Sequence, residues 1–409
     1  MCRTITHRGP DDEGIFINGP VGLGVRRLSI IDVAGGHQPL DNEDGTVWAA
    51  HNGEVYNFPE LREELSGLGH RFKTRTDTET VLHAYEQWGL EFASRLRGMF
   101  ATAIWDGQKK RLVIVRDRLG IKPLYYTQKK DGSLVFGSEL KTILQHKDLE
   151  RRIDPQALDY FLTLEYIPAP HSIFEGIHKL PAGNMLICSH DEFRVKRYWD
   201  LSDILEQQKD SPRLSIPDVK EELREHLLEA VKLRLLSDVP LGSFLSGGLD
   251  SSSIVALMHE LGVSPIKTFS IGFEDQSYDE SLHARRVAER FGTEHEEYFI
   301  QPDALGLTEK LIRHLDEPFG DFSIFPTYLV SAMAREHVKV ILSGDGGDEV
   351  FAGYEHYQAQ RLSDIPLLSP LLRMVSPAIL AFPPADKKKG TWNKLRRFVQ
   401  GLELSLIHI

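Results

Sequence analysis

Up to about Asp200 the chain sets short runs of β-branched and aromatic residues between Gly, Asn and Asp, in VGLGVRRLSIID, TVWAAHNGEVYN, GMFATAIWDG, KRLVIVRD and SLVFGSE. These runs predict sheet strands. FPELREELSGLG and the longer DTETVLHAYEQWGLEFASRL instead place apolar residues three and four apart behind a turn or cap residue, which predicts amphipathic helices. Strands that do not alternate regularly with helices imply an α+β layered domain rather than a doubly wound one.

The pattern changes after a polar stretch, LSDILEQQKDSPRLSIPD, whose Ser215 and Pro217 suit the opening of a helix. A linker is expected at 201–216, separating a front domain at 1–200 from a back domain at 217–409. Val219, Leu223, Leu227, Val231 and Leu235 then fall along one stripe, predicting a long helix with a buried face. Beyond it the strand candidates VPLGSFL, IKTFSIGF and VKVILSG alternate with helical SSIVALMHELG, SLHARRVAERFG and PTYLVSAMAREH. That alternation predicts an α/β domain with a mainly parallel sheet, in which ligands sit outside the carboxyl ends of the strands.

Composition narrows the chemistry. A chain of 409 residues with 41% hydrophobic content is expected to form two domains. Its formal net charge of −12 argues against non-specific attraction to nucleic acid or an anionic membrane, and favours small-molecule chemistry. Cys2 and Cys188 provide neither a disulfide framework nor a zinc spacing, the usage of a reducing compartment. There is no apolar run of bilayer length and no signal-peptide core, so the sequence reads as cytoplasmic.

Two loops carry the strongest chemical signal. In GSFLSGGLDSSSIVAL an apolar strand runs into Ser246, Gly247, Gly248, Leu249, Asp250, Ser251 and Ser252, where a helix begins. Free N–H groups at a helix start, serine hydroxyls and glycine turns make an anion-binding concavity suited to phosphate. The loop lacks the lysine of a GxxxxGK[ST] motif, so Asp250, its sole acid, is a candidate ligand for Mg²⁺. VKVILSGDGGDEVFAGY repeats the arrangement: a strand ends in Ser343 and Gly344, and Asp345, Asp348 and Glu349 crowd the following turn. Clustered acids repel one another unless a cation or a proton is held there, which makes Asp348 a second magnesium candidate. A Gly/Ser turn capping a helix and an exposed acidic turn are the plainer alternatives.

Together SGGLDSS and SGDGGDE resemble the synthetase domain of glutamine-dependent asparagine synthetases, of the ATP pyrophosphatase class. HRGPDDEG, RRLSIID, NGEVYN, TDTE, RDRLGIKPLYY and FGSELK resemble, in order, the glutaminase domain of the same family. The resemblance covers most of the chain up to about Tyr357. It implies an N-terminal-nucleophile (αββα-type) layered fold in front, a class II glutaminase, and an ATP pyrophosphatase fold behind. It also implies small-molecule substrates: glutamine is hydrolysed, ammonia passes through an internal tunnel, and aspartate is activated by ATP as its AMP ester and converted to asparagine. The cofactors implied are ATP and Mg²⁺, and a homodimer is left open.

By the same resemblance Ser246, Gly247, Gly248, Asp250, Ser251 and Ser252 match the diphosphate loop, and Asp250 and Asp348 the metal ligands. Leu245, Ile271, Ser343 and Gly344 match positions lining the nucleotide site. Asp345 stands where the family can carry a glutamate general base. Asp316, Glu317, Asp279 and Glu280 follow the family pattern either as surface helix caps or as substrate contacts. In front, Arg27 would bind the glutamine carboxylate as a fork, and Asn52 and Gly53 would donate to the oxyanion. Glu54 and Asp77 would hold the α-amino group.

The family nucleophile is a cysteine behind the initiator methionine, yet only four residues separate Cys2 from His7. That is too little chain for a buried first strand and a return to HRGPDD. Cys2 is therefore expected not to be the nucleophile, the front domain to lack its first strand, and the back domain to be incomplete, with the closing GLELSLIHI unlike the family. An amidotransferase acting on another carboxylate, and a catalytically silent nucleotide-binding remnant, are the alternatives.

Overall fold

In the computed structural model, the most apolar strands of the front half lie at the centre of a six-stranded antiparallel sheet. A hairpin of β1 (Asp12–Asn18) and β2 (Val21–Arg27) precedes it. The sheet is built from β3 (Leu40–Asp41), β4 (Val47–Val55), β5 (Gly98–Asp106) and β6 (Arg111–Arg116). A small sheet of β7 (Tyr125–Gln128), β8 (Leu134–Gly137) and β9 (His178–Lys179) follows in the chain. β10 (Asn184–Cys188) and β11 (Phe193–Arg197) then complete the large sheet, in the order β11-β10-β6-β5-β4-β3.

The strands read as continuous apolar runs because both faces of the sheet are covered. Phe100 and Ile104 of β5, Val113 and Val115 of β6, and Met185 and Ile187 of β10 share one core. Helices α1 (Phe58–Gly67) and α2 (Asp77–Trp88) close it with Leu61, Leu65, Val81, Leu82 and Tyr85. The intervening residues Ala101, Ala103, Trp105, Leu112, Ile114 and Leu186 face a second core with Leu23, Leu124 and Leu180. The layered α+β arrangement expected of this half is thus present.

Residues 1–210, 212, 214–273, 279–299, 304–365, 368–383 and 391–404 are described by the structure. They fall into two units, Met1–Gly242 with Gln301–Ile341, and Ser243–Ile300 with Leu342–Ile409. A four-stranded sheet runs β14-β13-β12-β15, from β12 (Leu241–Phe244), β13 (Lys267–Gly272), β14 (Glu294–Phe299) and β15 (Val340–Leu342). β13 and β14 pair in parallel, as the alternation of strands and helices predicts. Leu245, Val255, Ala284 and Ala288 form a core between this sheet and the helices Leu249–Glu260 and Ser281–Phe291. No helix among the described residues is long and apolar enough to cross a membrane.

Three local expectations are corrected. The helix expected from Asp77 to Leu96 ends at Trp88, because Gly89 takes a left-handed φ of +56° and the chain resumes only as short turns. Part of the expected linker is helical, at Leu201–Gln208. The helix Ile216–Arg234 begins at its expected Ser215 cap, but of its apolar stripe only Val231 is buried, while Val219 and Leu223 are exposed. Packing reaches that helix only near its end. The closing residues 405–409, and residues 211 and 213 of the linker, lie outside the described residues.

Ile104 is fully buried in the core beneath α2. Ile104→Ala is expected to lower the urea-unfolding free energy of the front unit by about 2–5 kcal/mol, whereas a change below about 0.5 kcal/mol would contradict this packing.

Candidate functional site

In the first unit a cavity of about 620 Å³ opens against the ends of β2 and β4, and it gathers all five residues assigned to glutamine: Arg27, Asn52, Gly53, Glu54 and Asp77. β4 delivers three of them in succession, Asn52, Gly53 and Glu54. Gly53 has φ +147°, and a Cβ there would lie 2.0 Å from the Met99 carbonyl oxygen on β5, so only glycine fits. Arg27 ends β2, where its Nη2 donates to the carbonyls of Ile31 and Asp32 at 2.7 and 3.0 Å. Burial lowers its pKa, with nearby Asp12, Asp32 and Asp77 opposing the shift.

Electrostatics divides the two acids of this cavity. Asp77 is buried, yet the adjacent His51 and the Val55 N–H (2.9 Å from Oδ2) outweigh desolvation and hold its carboxyl below the ordinary range. Glu54 has no such donors. Desolvation and then the Asp77 charge push it up to about 7, and its Oε1 has no hydrogen-bond partner among the described residues. The Asn52 Nδ2 donor beside it is likewise shielded and without a partner. Unmatched buried donors and acceptors are costly, so they point to a polar guest.

Cys2 also lines this cavity, from a single turn of 3₁₀ helix at Cys2–Ile5. Its sulfur lies 2.5 Å from where a Cβ on Gly24 would stand. Burial, above all, raises its thiol, the reverse of what activates a nucleophile.

In the second unit the two predicted loops follow β12 and β15, which are neighbours in the sheet. Ser246 N–H donates to Ser251 Oγ at 3.2 Å, the two hydroxyls are 3.0 Å apart, and Gly248 N–H donates to Ser246 Oγ at 3.2 Å. These bonds curl the loop over the first turn of the Leu249–Glu260 helix, which has no side-chain cap. Its leading N–H groups thus have no intrahelical acceptor. Ser252 Oγ is shielded and has no partner among the described residues. The second loop passes close by: a Cβ on Gly344 would lie 2.8 Å from Asp250 Cβ, and one on Gly347 would lie 2.6 Å from Asp250 Cγ. The Asp250 carboxylate therefore rests against the backbone immediately before Asp348, whose own Oδ1 lies beside Gly353.

The remaining assignments divide. Ile271 lies near the end of β13 and pairs with Tyr298. Leu245 points its side chain into the core, 1% exposed, and can offer a ligand only its backbone. Asp345 is exposed and accepts from the Ser343 hydroxyl at 2.9 Å. Asp279 is a helix cap, its oxygens taking the N–H and hydroxyl of Ser281 at 3.1 and 2.9 Å, with Glu280 the residue before the helix. Asp316 and Glu317 are not surface caps. Their largely buried side chains pair with Lys141 and Lys179.

Residues 1–199 match the family described as glutamine amidotransferase domain, and residues 222–403 the family described as asparagine synthase. A Methanocaldococcus jannaschii protein, provisionally named asparagine synthetase (glutamine-hydrolyzing) 2, is 40% identical over 435 residues, spanning 100% of this chain and 81% of its own. The chain belongs to the glutamine-hydrolysing asparagine synthetase family. Asparagine synthetase (glutamine-hydrolyzing) 1 of Bacillus subtilis is 41% identical over 88% of this chain, which spans 56% of that relative's length. A Penicillium rubens protein named amidase chyE is 34% identical over 94% of this chain and 58% of its own. The layered front half and the parallel sheet behind it agree with the N-terminal-nucleophile and ATP pyrophosphatase folds of the asparagine synthetase family.

Sequence reasoning overlooked His51, Lys122 and Gln38 as cavity residues of this asparagine synthetase relative. His51 immediately precedes the NGE turn and lies fully inside, its Nδ1 2.7 Å from Thr102 Oγ1 and its Nε2 3.5 Å from Asp77 Oδ2. Gln38 fixes the strand by accepting the His51 N–H at 2.8 Å. Lys122, of the GIKPLYY run, has its pKa lowered by burial and by Arg8. Their place in the cavity follows from the tertiary fold and leaves no local trace in the pattern.

Glu54 offers a pH test. Its carboxyl rises from 4.5 to about 7 on folding, so its stabilising contribution is full below pH 4.5 and is lost as pH rises through about 7. Glu54→Gln removes that loss. The variant is expected to gain about 2–3 kcal/mol on the wild type between pH 4.5 and 8, read by urea unfolding with tryptophan fluorescence. Trp48, Trp88, Trp105 and Trp199 report on this unit. Parallel stability curves would refute the assigned environment.

Proposed function

We propose that the chain is an ATP-dependent, glutamine-hydrolysing amidotransferase of asparagine synthetase type, acting in the cytoplasm and converting aspartate to asparagine through an aspartyl-AMP intermediate. Residues 1–200 would supply the glutaminase function and 217–409 the synthetase function. One observation carries this reading: the serine-glycine loop and the aspartate loop end neighbouring strands and meet at Asp250.

The loop N–H groups, with Ser246, Ser251 and Ser252, bind the diphosphate end of ATP, and the shielded Ser252 hydroxyl gains the acceptor it lacks. Gly247, Gly248, Ser343 and Gly344 let the backbone approach the nucleotide, while Leu245 and Ile271 border it. The donor set of two carboxylates and several hydroxyls, all hard oxygens, fits Mg²⁺, which Asp250 and Asp348 would hold. An ion held there would neutralise charge on the diphosphate. A carboxylate is a poor electrophile, so its oxygen attacks the α-phosphorus of ATP and diphosphate leaves; ammonia then attacks the acyl carbon of the resulting AMP ester and AMP leaves as the amide forms. Asp345 takes a proton from the attacking ammonia.

In the front cavity Arg27 grips the glutamine carboxylate, and its guanidinium is already aimed by the Ile31 and Asp32 carbonyls. The unpartnered Asn52 Nδ2 and the Gly53 N–H donate to the oxyanion. Ionised Asp77 and, once a cation arrives, Glu54 face the α-ammonium group. Cys2, with its raised thiol, is not assigned as the nucleophile whose attack would form that oxyanion and release ammonia, so residues 1–200 are proposed as the half that holds glutamine.

Diphosphate release from Mg·ATP, with ammonia and aspartate, tests this reading. Asp250→Ala is expected to reduce the rate at least about 100-fold. Unchanged release would remove Asp250 from the mechanism, and release stimulated by another carboxylic acid but not by aspartate would overturn the acceptor.

A further inference from the structure

Away from both sites, Glu43, His70 and His83 converge, each placing one ligand atom within 4.8 Å of the others. Glu43 comes from the turn between β3 and β4, His70 from the segment after α1, and His83 from the middle of α2. Glu86, one turn along α2, brings a fourth donor, its Oε2 lying 2.7 Å from His83 Nδ1.

Each of these side chains is held by a polar neighbour on its far side. Glu43 Oε1 accepts the Arg71 N–H at 3.1 Å, which leaves Oε2 4.0 Å from His83 Nδ1. Glu86 Oε1 accepts from Asn42 Nδ2 at 2.6 Å, leaving Oε2 on the same nitrogen. His70 Nε2 donates to Gln87 Oε1 at 3.0 Å, so the lone pair of its neutral ring sits on Nδ1. His83 itself is 1% exposed, and its Nε2 makes no hydrogen bond but faces the buried Glu79 carboxylate at 3.8 Å. A ligating imidazole commonly turns its other N–H to a carboxylate; here Nδ1 itself shares a proton with Glu86 Oε2 at 2.7 Å, a proton that a bound ion would displace.

We infer that Glu43, His70, His83 and Glu86 form a binding site for a divalent transition ion of the zinc type. Two imidazoles and two carboxylates suit Zn²⁺ in four-coordination, and imidazole sets this site apart from an all-oxygen magnesium site. Bonds of about 2.0–2.2 Å put tetrahedral ligand atoms roughly 3.4 Å apart, so Glu86 Oε2, 2.7 Å from His83 Nδ1, must move outward while the exposed Glu43 Oε2, 4.0 Å from it, draws in. Its exposure, beside the half-buried His70, also gives the ion a route from solvent. The bound ion would tie the β3–β4 turn, the segment after α1 and helix α2 together without entering the reaction, and so would act on stability.

Chelator-stripped full-length protein titrated with Co²⁺ tests this, because tetrahedral Co²⁺ with nitrogen ligands absorbs strongly in the visible range. One equivalent is expected to give the band, Zn²⁺ to bleach it by displacement, and Zn²⁺ alone to raise the melting temperature. His70→Asn and Glu43→Gln, both at the exposed rim, should each fold normally and lose the band and the zinc-dependent shift, whereas Asp250→Ala should keep both. Absence of the band in the wild type, its survival in His70→Asn, or its loss in Asp250→Ala would overturn the assignment.

Discussion

Two turns can grip one charged ligand only if their backbones pass without a side chain between them. Gly344 and Gly347 meet that condition, because any Cβ at either position would run into Asp250. The sheet supplies the rest: β12 and β15 are neighbours, so the loops that follow them emerge side by side. Serine hydroxyls, first-turn N–H groups and Asp250 on one loop then lie against the Gly344–Gly347 backbone of the other. The chemistry proposed for the second unit rests on this crossing of backbones.

The front cavity obeys the same kind of constraint on different scaffolding. Gly53 lets β4 press onto β5, and the residues on either side of it, Asn52 and Glu54, enter the cavity together. Charge is then divided by local donors. Asp77 keeps its ionised form through His51 and the Val55 N–H, whereas Glu54, facing Asp77 without donors of its own, holds its proton until near neutrality. A guest with an ammonium group would relieve that pair, as it would satisfy the unpartnered Glu54 Oε1.

Much of this was legible in the chain. The apolar runs of β5 and β6 and the alternating strands and helices after Ser215 define the two architectures, because burial on both faces and helix periodicity leave direct traces. Arg27, Asn52, Gly53, Glu54 and Asp77 stand in sequence motifs, and one cavity collects them. Other features left no local trace. Gly89 ends α2 by adopting a backbone conformation, which apolar spacing does not register. The stripe from Val219 to Leu223 looked like a buried face, but burial depends on what packs there, and that is a property of the tertiary fold. His51 and Lys122 are polar residues inside a β-rich, apolar context, and their place in the cavity follows from strand register. Glu43, His70 and His83 meet only because α1, α2 and the β3–β4 turn fold onto one another.

The most direct test is the calorimetric affinity of Mg·ATP for Gly344→Ala, a single methyl group placed at the crossing. The account predicts at least a tenfold weaker dissociation constant, about 1.4 kcal/mol, with an unchanged circular dichroism spectrum. Equal affinity in variant and wild type would show that the two loops do not share the nucleotide.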